Sequence, residues 1–235
     1  ETVFNGADKI RYPATQRQDG YYPMHSSETA LGATVQDLKE FFHWYPWGQG
    51  PPELSAMSHR LYDLGTEVAA TVLGWVDTAL PADIHERLSM PLPKMLDGAT
   101  RTLLRIAHYP ALRGTEPASA VRAAAHEDVN LVTVLPAANE PGLEVFGRDG
   151  RWHEVPCDPG SIVINVGDML QLATHEWLPS TTHRVVNPPS ADRNRARLST
   201  PPFLDAADDV ALTPDITAFE FLRDRVFQIR GVVIT

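Results

Sequence analysis

His126-Glu127-Asp128-Val129-Asn130-Leu131-Val132-Thr133-Val134-Leu135 is the stretch on which the reading of this chain turns. Its second half, Val129 to Leu135, is apolar and β-branched and reads as a strand. Its first half is an H-x-D triplet. In extended backbone, side chains two residues apart point to the same side, so His126 and Asp128 can meet one ion while Glu127 turns away. Alone the triplet is weak, because short combinations of common residues arise by chance.

Working outward, the sequence keeps the same texture from Arg101 onward. Short apolar or alternating runs are broken by Gly, Pro and Asp: Leu103 to Tyr109, Leu131 to Leu135, Leu143 to Phe146, Trp152 to Val155, Ser161 to Val166, Thr181 to Val186, and Arg197 to Leu204. Strands of this number and length predict a sandwich or barrel. Helical spacing flanks them. Leu54, Met57, Leu61, Leu64, Val68, Val72, Trp75 and Leu80 recur three or four apart after Pro51-Pro52 and predict one long helix over Glu53 to Leu80. A shorter helix is expected over Ala82 to Leu88, another over Thr34 to Phe42, and a last one over Ile216 to Arg230. The absence of a βαβ rhythm disfavours a parallel doubly wound sheet. The expected class is mainly β with flanking helices, in one domain over 1–235, with loops and helices in 1–99, the β core in 100–205 and a C-terminal helix in 206–235.

Two further pieces harden the chemical signal. Ser180-Thr181-Thr182-His183-Arg184-Val185-Val186 puts another histidine in a β-branched strand. Two imidazoles and one carboxylate on one face of a metal leave three positions open, an arrangement that lets iron(II) hold a co-substrate and dioxygen together. Zinc is chemically possible with the same ligands, but there is no H-E-x-x-H helix, and the single Cys157 excludes a thiolate cluster. Downstream, alternation places Arg197 and Ser199 on one strand face, where a guanidinium fork beside a hydroxyl suits a buried carboxylate.

Bulk composition narrows the partners. The 235 residues carry 43% hydrophobic and 21% charged residues and a formal net charge of -10, which disfavours a broad electrostatic grip on nucleic acid or anionic lipid. A small-molecule substrate is expected, with no nucleic acid or membrane partner and a monomer as default. One cysteine and no long apolar run make cytoplasmic residence the expectation. The chain opens with Glu1, so a leader or N-terminal segment is not excluded.

The order H-x-D, distant His, R-x-S resembles the isopenicillin N synthase-like group of iron(II) and 2-oxoglutarate-dependent oxygenases. His108-Tyr109-Pro110, Pro141 to Val145, Gly160 to Leu172 and His183 to Pro188 are similar to further family elements, and Gly20 to Phe42 adds a weaker match. The resemblance implies a double-stranded β-helix, a cupin-like jelly roll, with His126, Asp128 and His183 binding iron(II) and Arg197, Ser199 and Tyr109 holding a carboxylate. In most such enzymes that carboxylate is 2-oxoglutarate, consumed with O2 to give succinate and CO2 while an amino acid, peptide or secondary metabolite is hydroxylated. In synthase-type oxidases or cyclases, which use no 2-oxoglutarate, it belongs to the substrate. A non-catalytic jelly-roll binding module is the reading of another class. The strand-and-helix segment that family members usually carry before the Gly20 region is not present in the sequence.

Other candidates have plainer readings. His175 is the rival third ligand but sits in a loop-like setting. His108 and His153 are expected to be structural, Asp168 a helix N-cap, and the aromatics Phe41, Phe42, Trp44, Tyr45 and Trp47 packing against the long helix.

Overall fold

The computed structural model describes residues 2–26 and 35–234. A short α1 spans Thr2–Asn5, the long α2 spans Pro52–Ala79, and a short α3 follows at Ala82–His85. Thirteen strands follow the order β1 (Gly20–Tyr22), β2 (Glu40–Trp44), β3 (Leu103–Tyr109), β4 (Ala123–His126), β5 (Val132–Pro136), β6 (Leu143–Phe146), β7 (Trp152–Glu154), β8 (Ile162–Val166), β9 (His183–Val185), β10 (Arg197–Ser199), β11 (Pro202–Leu204), β12 (Ala211–Thr213) and β13 (Ile216–Thr217). Helix α4 (Asp168–Ala173) interrupts them and α5 (Ala218–Arg230) closes the described chain.

Pairing is antiparallel throughout these strands. One sheet runs β1-β2-β3-β11-β5-β8, with β10 also on β3; a second runs β4-β9-β6-β7; β12 and β13 form a hairpin. Two antiparallel sheets with helices around them are the expected jelly-roll class. The predicted strands fall where the alternation puts them, with one refinement. The run from Arg197 to Leu204 is two strands on one continuous register against β3, Arg197 opposite Tyr109 and Pro202 opposite Leu104. The break falls at Thr200-Pro201, where Pro201 has no N–H to give the ladder but its carbonyl still accepts from the Arg105 amide at 3.0 Å.

The long helix is confirmed. It lies over the first sheet and buries Ser58, Gly65, Ala69 and Leu73, feeding a core that includes Leu92, Met95, Leu131, Val134, Met169, Leu170 and Leu204. The buried face is not the apolar stripe that marked the helix in the sequence: Met57, Leu64 and Trp75 of that stripe are exposed, and the small residues Ser58, Gly65 and Ala69 make the close contact instead. The 82–88 helix is shorter than expected, a four-residue α3 continued as turn. The C-terminal helix starts later than expected, because Ile216 and Thr217 pair as β13. The Thr217 hydroxyl accepts from the Glu220 amide and the Glu220 carboxylate accepts from the Thr217 amide.

The expected helix over Thr34 to Phe42 is wrong where it can be judged, since Thr34 lies outside the described residues. Residues 40–44 form β2, between β1 and β3, with all five residues buried. Phe41 packs with Tyr22 and Tyr109 on one side, and Phe42 and Trp44 pack with Phe4, Tyr21 and Leu104 on the other. A strand buried on both faces shows no alternation, and its apolar residues imitated helical spacing. Glu40 tolerates this burial because His108 and Lys9 lie 2.9 and 2.8 Å from its oxygens and the Tyr21 hydroxyl donates to it. Burial alone would raise its carboxyl, but these donors outweigh it and hold it down at about 2. His108 is thus structural, as expected, and Trp44 meets His59 and Tyr62 of α2 edge-on.

Two glycines of α2 separate packing from helix propensity. A Cβ on Gly65 would stand 2.5 Å from the Pro202 ring of β11, whereas one on Gly74 would meet nothing within 4 Å. Gly74→Ala is expected to stabilise by about 0.5–1 kcal/mol, the ordinary helix gain. Gly65→Ala is expected to destabilise by about 1–3 kcal/mol because the overpacking exceeds that gain. Urea unfolding of the two variants beside the parent checks the opposite signs.

Candidate active site

His126 ends β4 and His183 begins β9, and the two are directly opposed across the antiparallel pair. The ladder is irregular between Ala123 and His126. In a regular strand residues three apart face opposite ways, yet Ala123 and His126 both line the same cavity. The irregularity turns His126 inward, a known use of bulges beside functional sites. Asp128 follows two residues later, in the link that leads from β4 of one sheet to β5 of the other.

Three donor atoms converge there. The His126 and His183 Nε2 atoms lie 3.9 and 3.7 Å from Asp128 Oδ1, and one ligand atom from each residue falls within 4.8 Å of the others. Each imidazole is oriented from behind. His126 Nδ1 is 2.8 Å from the Ala124 carbonyl and His183 Nδ1 2.8 Å from that of Thr181, so the Nδ1–H tautomer is fixed and the Nε2 lone pairs are presented to the centre. Asp128 Oδ2 accepts from the Thr133 hydroxyl at 2.6 Å and the Asn165 amide at 2.8 Å, leaving Oδ1 to face the imidazoles. Burial pushes His126 down to about 4, reinforced by the neighbouring His183. Burial would raise Asp128, but His183, His126 and the two donors outweigh it and lower its carboxyl. A neutral His126 beside an ionised Asp128 carboxylate, with the His183 Nε2 turned to the same point, suits a divalent metal, so the donor set fits one.

A cavity of about 70 Å³ leads inward from this cluster and is lined also by Tyr109, Arg197 and Ser199. All six residues expected to form the site therefore border one space. Arg197 and Ser199 sit on β10 opposite Tyr109 and Ala107 of β3, and the Arg197 guanidinium lies 5.2 Å from the Tyr109 ring centre. Arg197 is 3% exposed, its Nε donates to the Glu140 carbonyl at 3.0 Å, and no acidic side chain pairs with it among the described residues. The nearby Glu140 carboxylate is taken by Arg195 at 2.7 Å.

Sequence reasoning missed the other buried charges. Arg122 is buried behind this end, where burial and then Arg197 lower its pKa. Lys39, 2.9 Å from Asp37, and Arg105, whose Nε donates to His43 at 3.0 Å, border both the inner cavity and a second chamber. Arg105 was within reach, since alternation along β3 places it on the face of Ala107 and Tyr109. The other predicted residues lie away from the cluster. His175 is exposed in a turn outside the cluster, and His153 pairs at the surface with Asp149. Asp168 does not cap α4, because Gly167 holds that position; its carboxylate instead takes Arg225 of α5 at 2.6 Å.

The second chamber, about 370 Å³, opens on the other side of His126 and Asp128. Phe203, Val129, Leu222, Val226 and Ile229 give it an apolar wall, and Asp205 stands at its edge.

A family model for the 2OG-Fe(II) oxygenase superfamily matches residues 101–205. A candidate oxygenase from Shewanella oneidensis of known crystal structure is 43% identical, with a TM-score of 0.85 over 99% of this chain and 83% of that one. A 2OG-Fe(II) oxygenase family protein from Caulobacter crescentus is 36% identical, with a TM-score of 0.71 over 93% of this chain and 78% of the other. The chain belongs to the 2OG-Fe(II) oxygenase superfamily. Iron(II) and 2-oxoglutarate are the cofactors of that family, and the donor set described above suits them. Among curated proteins, gibberellin 3-beta-dioxygenase 2 of Arabidopsis thaliana is 38% identical over 115 residues, 49% of this chain and 31% of that protein. This oxygenase-family chain spans from about a quarter to about a half of the length of the curated relatives it matches.

Burial pushes the Asp205 carboxyl up to about 8, with Arg101 opposing the rise. A carboxyl whose pKa is raised on folding is protonated in the native state while ionised in the unfolded chain, so stability falls as pH rises from about 4 towards 8. The slope for one such proton is about 1.4 kcal/mol per pH unit at most. Asp205→Asn is expected to gain stability relative to the parent steadily across that window, as read by denaturant unfolding at several pH values; a constant difference would contradict it.

Proposed function

We propose that the protein is an iron(II)- and 2-oxoglutarate-dependent dioxygenase that oxidises, by hydroxylation, a small-molecule substrate held in the outer chamber. In this reading His126, Asp128 and His183 hold the metal through His126 Nε2, His183 Nε2 and Asp128 Oδ1, and Arg197 with Ser199 and Tyr109 holds the distal carboxylate of 2-oxoglutarate. The observation that carries it is Arg197: a buried guanidinium without an acidic partner among the described residues, lining the same cavity as three converging donors. An uncompensated buried cation is costly, and an incoming carboxylate removes that cost.

Bound together, the two cofactors supply an oxidant drawn from dioxygen, with release of succinate and carbon dioxide. The chain's own contribution is placement. Thr133 and Asn165 fix the Asp128 carboxylate, the Ala124 and Thr181 carbonyls fix the imidazoles, and Leu135, Leu143, Val145, Val163 and Val185 give the inner cavity an apolar lining. Gln18, Asp37, Lys39 and His43 before the β core and Leu222, Val226 and Ile229 after it serve in the same unit as walls of the outer chamber.

The test is anaerobic. Iron(II) followed by 2-oxoglutarate is expected to give the visible charge-transfer band of the chelate. Arg197→Ala should weaken 2-oxoglutarate by about 30-fold or more, the scale of removing one side of a buried charge pair, and His183→Ala should abolish turnover in a folded protein. Iron binding without the band would reassign Arg197 to a substrate carboxylate in a synthase-type oxidase. Thr133→Val is expected to weaken iron(II) about 10- to 100-fold with the ligands intact, measured by competition with a chromogenic chelator.

A further inference from the structure

The outer chamber carries charge on both sides of its wall, and nearly all of it is answered. Lys39 meets Asp37 at 2.9 Å, Arg225 meets Asp168 at 2.6 Å, and Arg105 donates to His43. Among the described residues, Asp205 is the one buried acidic side chain that no hydrogen bond or ion pair reaches. It is 5% exposed, and although its backbone amide donates to the Thr102 hydroxyl at 3.2 Å, its carboxyl receives nothing. Its position excludes a casual surface role. Asp205 directly follows β11, whose Phe203 lines both the inner cavity and the chamber, and Leu222 and Val226 of α5 stand across from it.

A buried carboxyl costs free energy whether it stays ionised or takes up a proton, and hydrogen-bond donors offset that cost. Here the chain supplies none, although it provides two for Asp128 and three for Glu40. Burial and the Asp208 and Asp128 charges hold the group towards its protonated form, with Arg101 opposing, so an arriving cation both ionises it and is held by it.

We propose that Asp205 is a specificity-determining residue that binds an ammonium or guanidinium group of the substrate, whose apolar body lies along Phe203, Leu222 and Val226. The assignment rests on the proposed function, since it takes the outer chamber as the place where the substrate is held. It points to a cationic amphiphile, an amine with a hydrocarbon or aromatic body, and away from acids of the same shape. Such a specificity is built from an unanswered polar group, which discriminates more sharply than apolar contact does.

Three probes that share one body separate this from simple hydrophobic capture: 3-phenylpropylamine, 3-phenylpropanol and 3-phenylpropanoate. They are titrated calorimetrically into the anaerobic protein loaded with iron(II) and 2-oxoglutarate, and into the metal-free protein. The amine is expected to bind at least about tenfold more tightly than the other two, and the preference is expected to vanish in Asp205→Asn, which keeps size and fold. Asp205→Leu should lose the amine while gaining the alcohol. Equal affinities, no binding of the amine, or a preference that survives in Asp205→Asn overturns the proposal. Failure of the proposed function shows elsewhere, as loss of the charge-transfer band in the parent protein, while the amine preference is still read on the metal-free chain.

Discussion

Everything at the site depends on the register between β4 and β9. A slip of one residue in an antiparallel pair turns every side chain to the other face. Here Ala123 opposes Val185 while His126 opposes His183, so the pairing shifts once between them. That shift keeps the small Ala123 and His126 on one inner surface. The two ring centres come to 4.4 Å, close enough to share an ion and costly if both were charged. Burial settles the conflict by keeping His126 neutral.

The carboxylate ties this sheet to the other one. Both histidines belong to the four-stranded sheet, whereas the donors that orient Asp128 come from Thr133 on β5 and Asn165 on β8, neighbours in the seven-stranded sheet. The donor cluster is therefore complete only when the two sheets face each other at their native spacing. Gly167, just beyond β8, contributes to this. A Cβ there would fall 2.2 Å from the Asn130 carbonyl oxygen, and the Asn130 amide donates to the same Thr133 hydroxyl that holds Asp128. Close backbone approach at one glycine is transmitted through two hydrogen bonds to a metal-facing oxygen.

How much of this was legible follows from the range of the interactions. Strands of the second half were readable because their short β-branched runs are bounded by Gly, Pro and Asp, and the long helix because its apolar residues recur three or four apart, although Met57, Leu64 and Trp75 of that stripe are exposed. Arg197 and Ser199 could be placed on one face from alternation alone. β2 was misread because both of its faces are covered, which erases the period. The turn of His126 by a bulge, the Arg225–Asp168 pair that replaced the expected N-cap, and the isolation of Asp205 arise between segments distant in sequence. No local pattern encodes them.

The same division separates the stretch that carries the family match from the residues that wall the outer chamber. The residues of the superfamily match, 101–205, include the three converging donors His126, Asp128 and His183 together with Tyr109, Arg197 and Ser199. The outer chamber takes much of its wall from outside that stretch: Gln18, Asp37, Lys39 and His43 come from the N-terminal region, and Leu222, Arg225, Val226 and Ile229 from α5. Chemistry common to a family needs fixed donors on paired strands, because their spacing must hold to within tenths of an ångström. Recognition of a particular substrate needs only that some wall of the chamber carry the right shape and charge, so it can vary in the flanking elements while the barrel stays constant. Asp205 is the last residue of the match, where the β core meets the flanking wall of the chamber, and its buried carboxyl stands apart from the His126, Asp128 and His183 cluster.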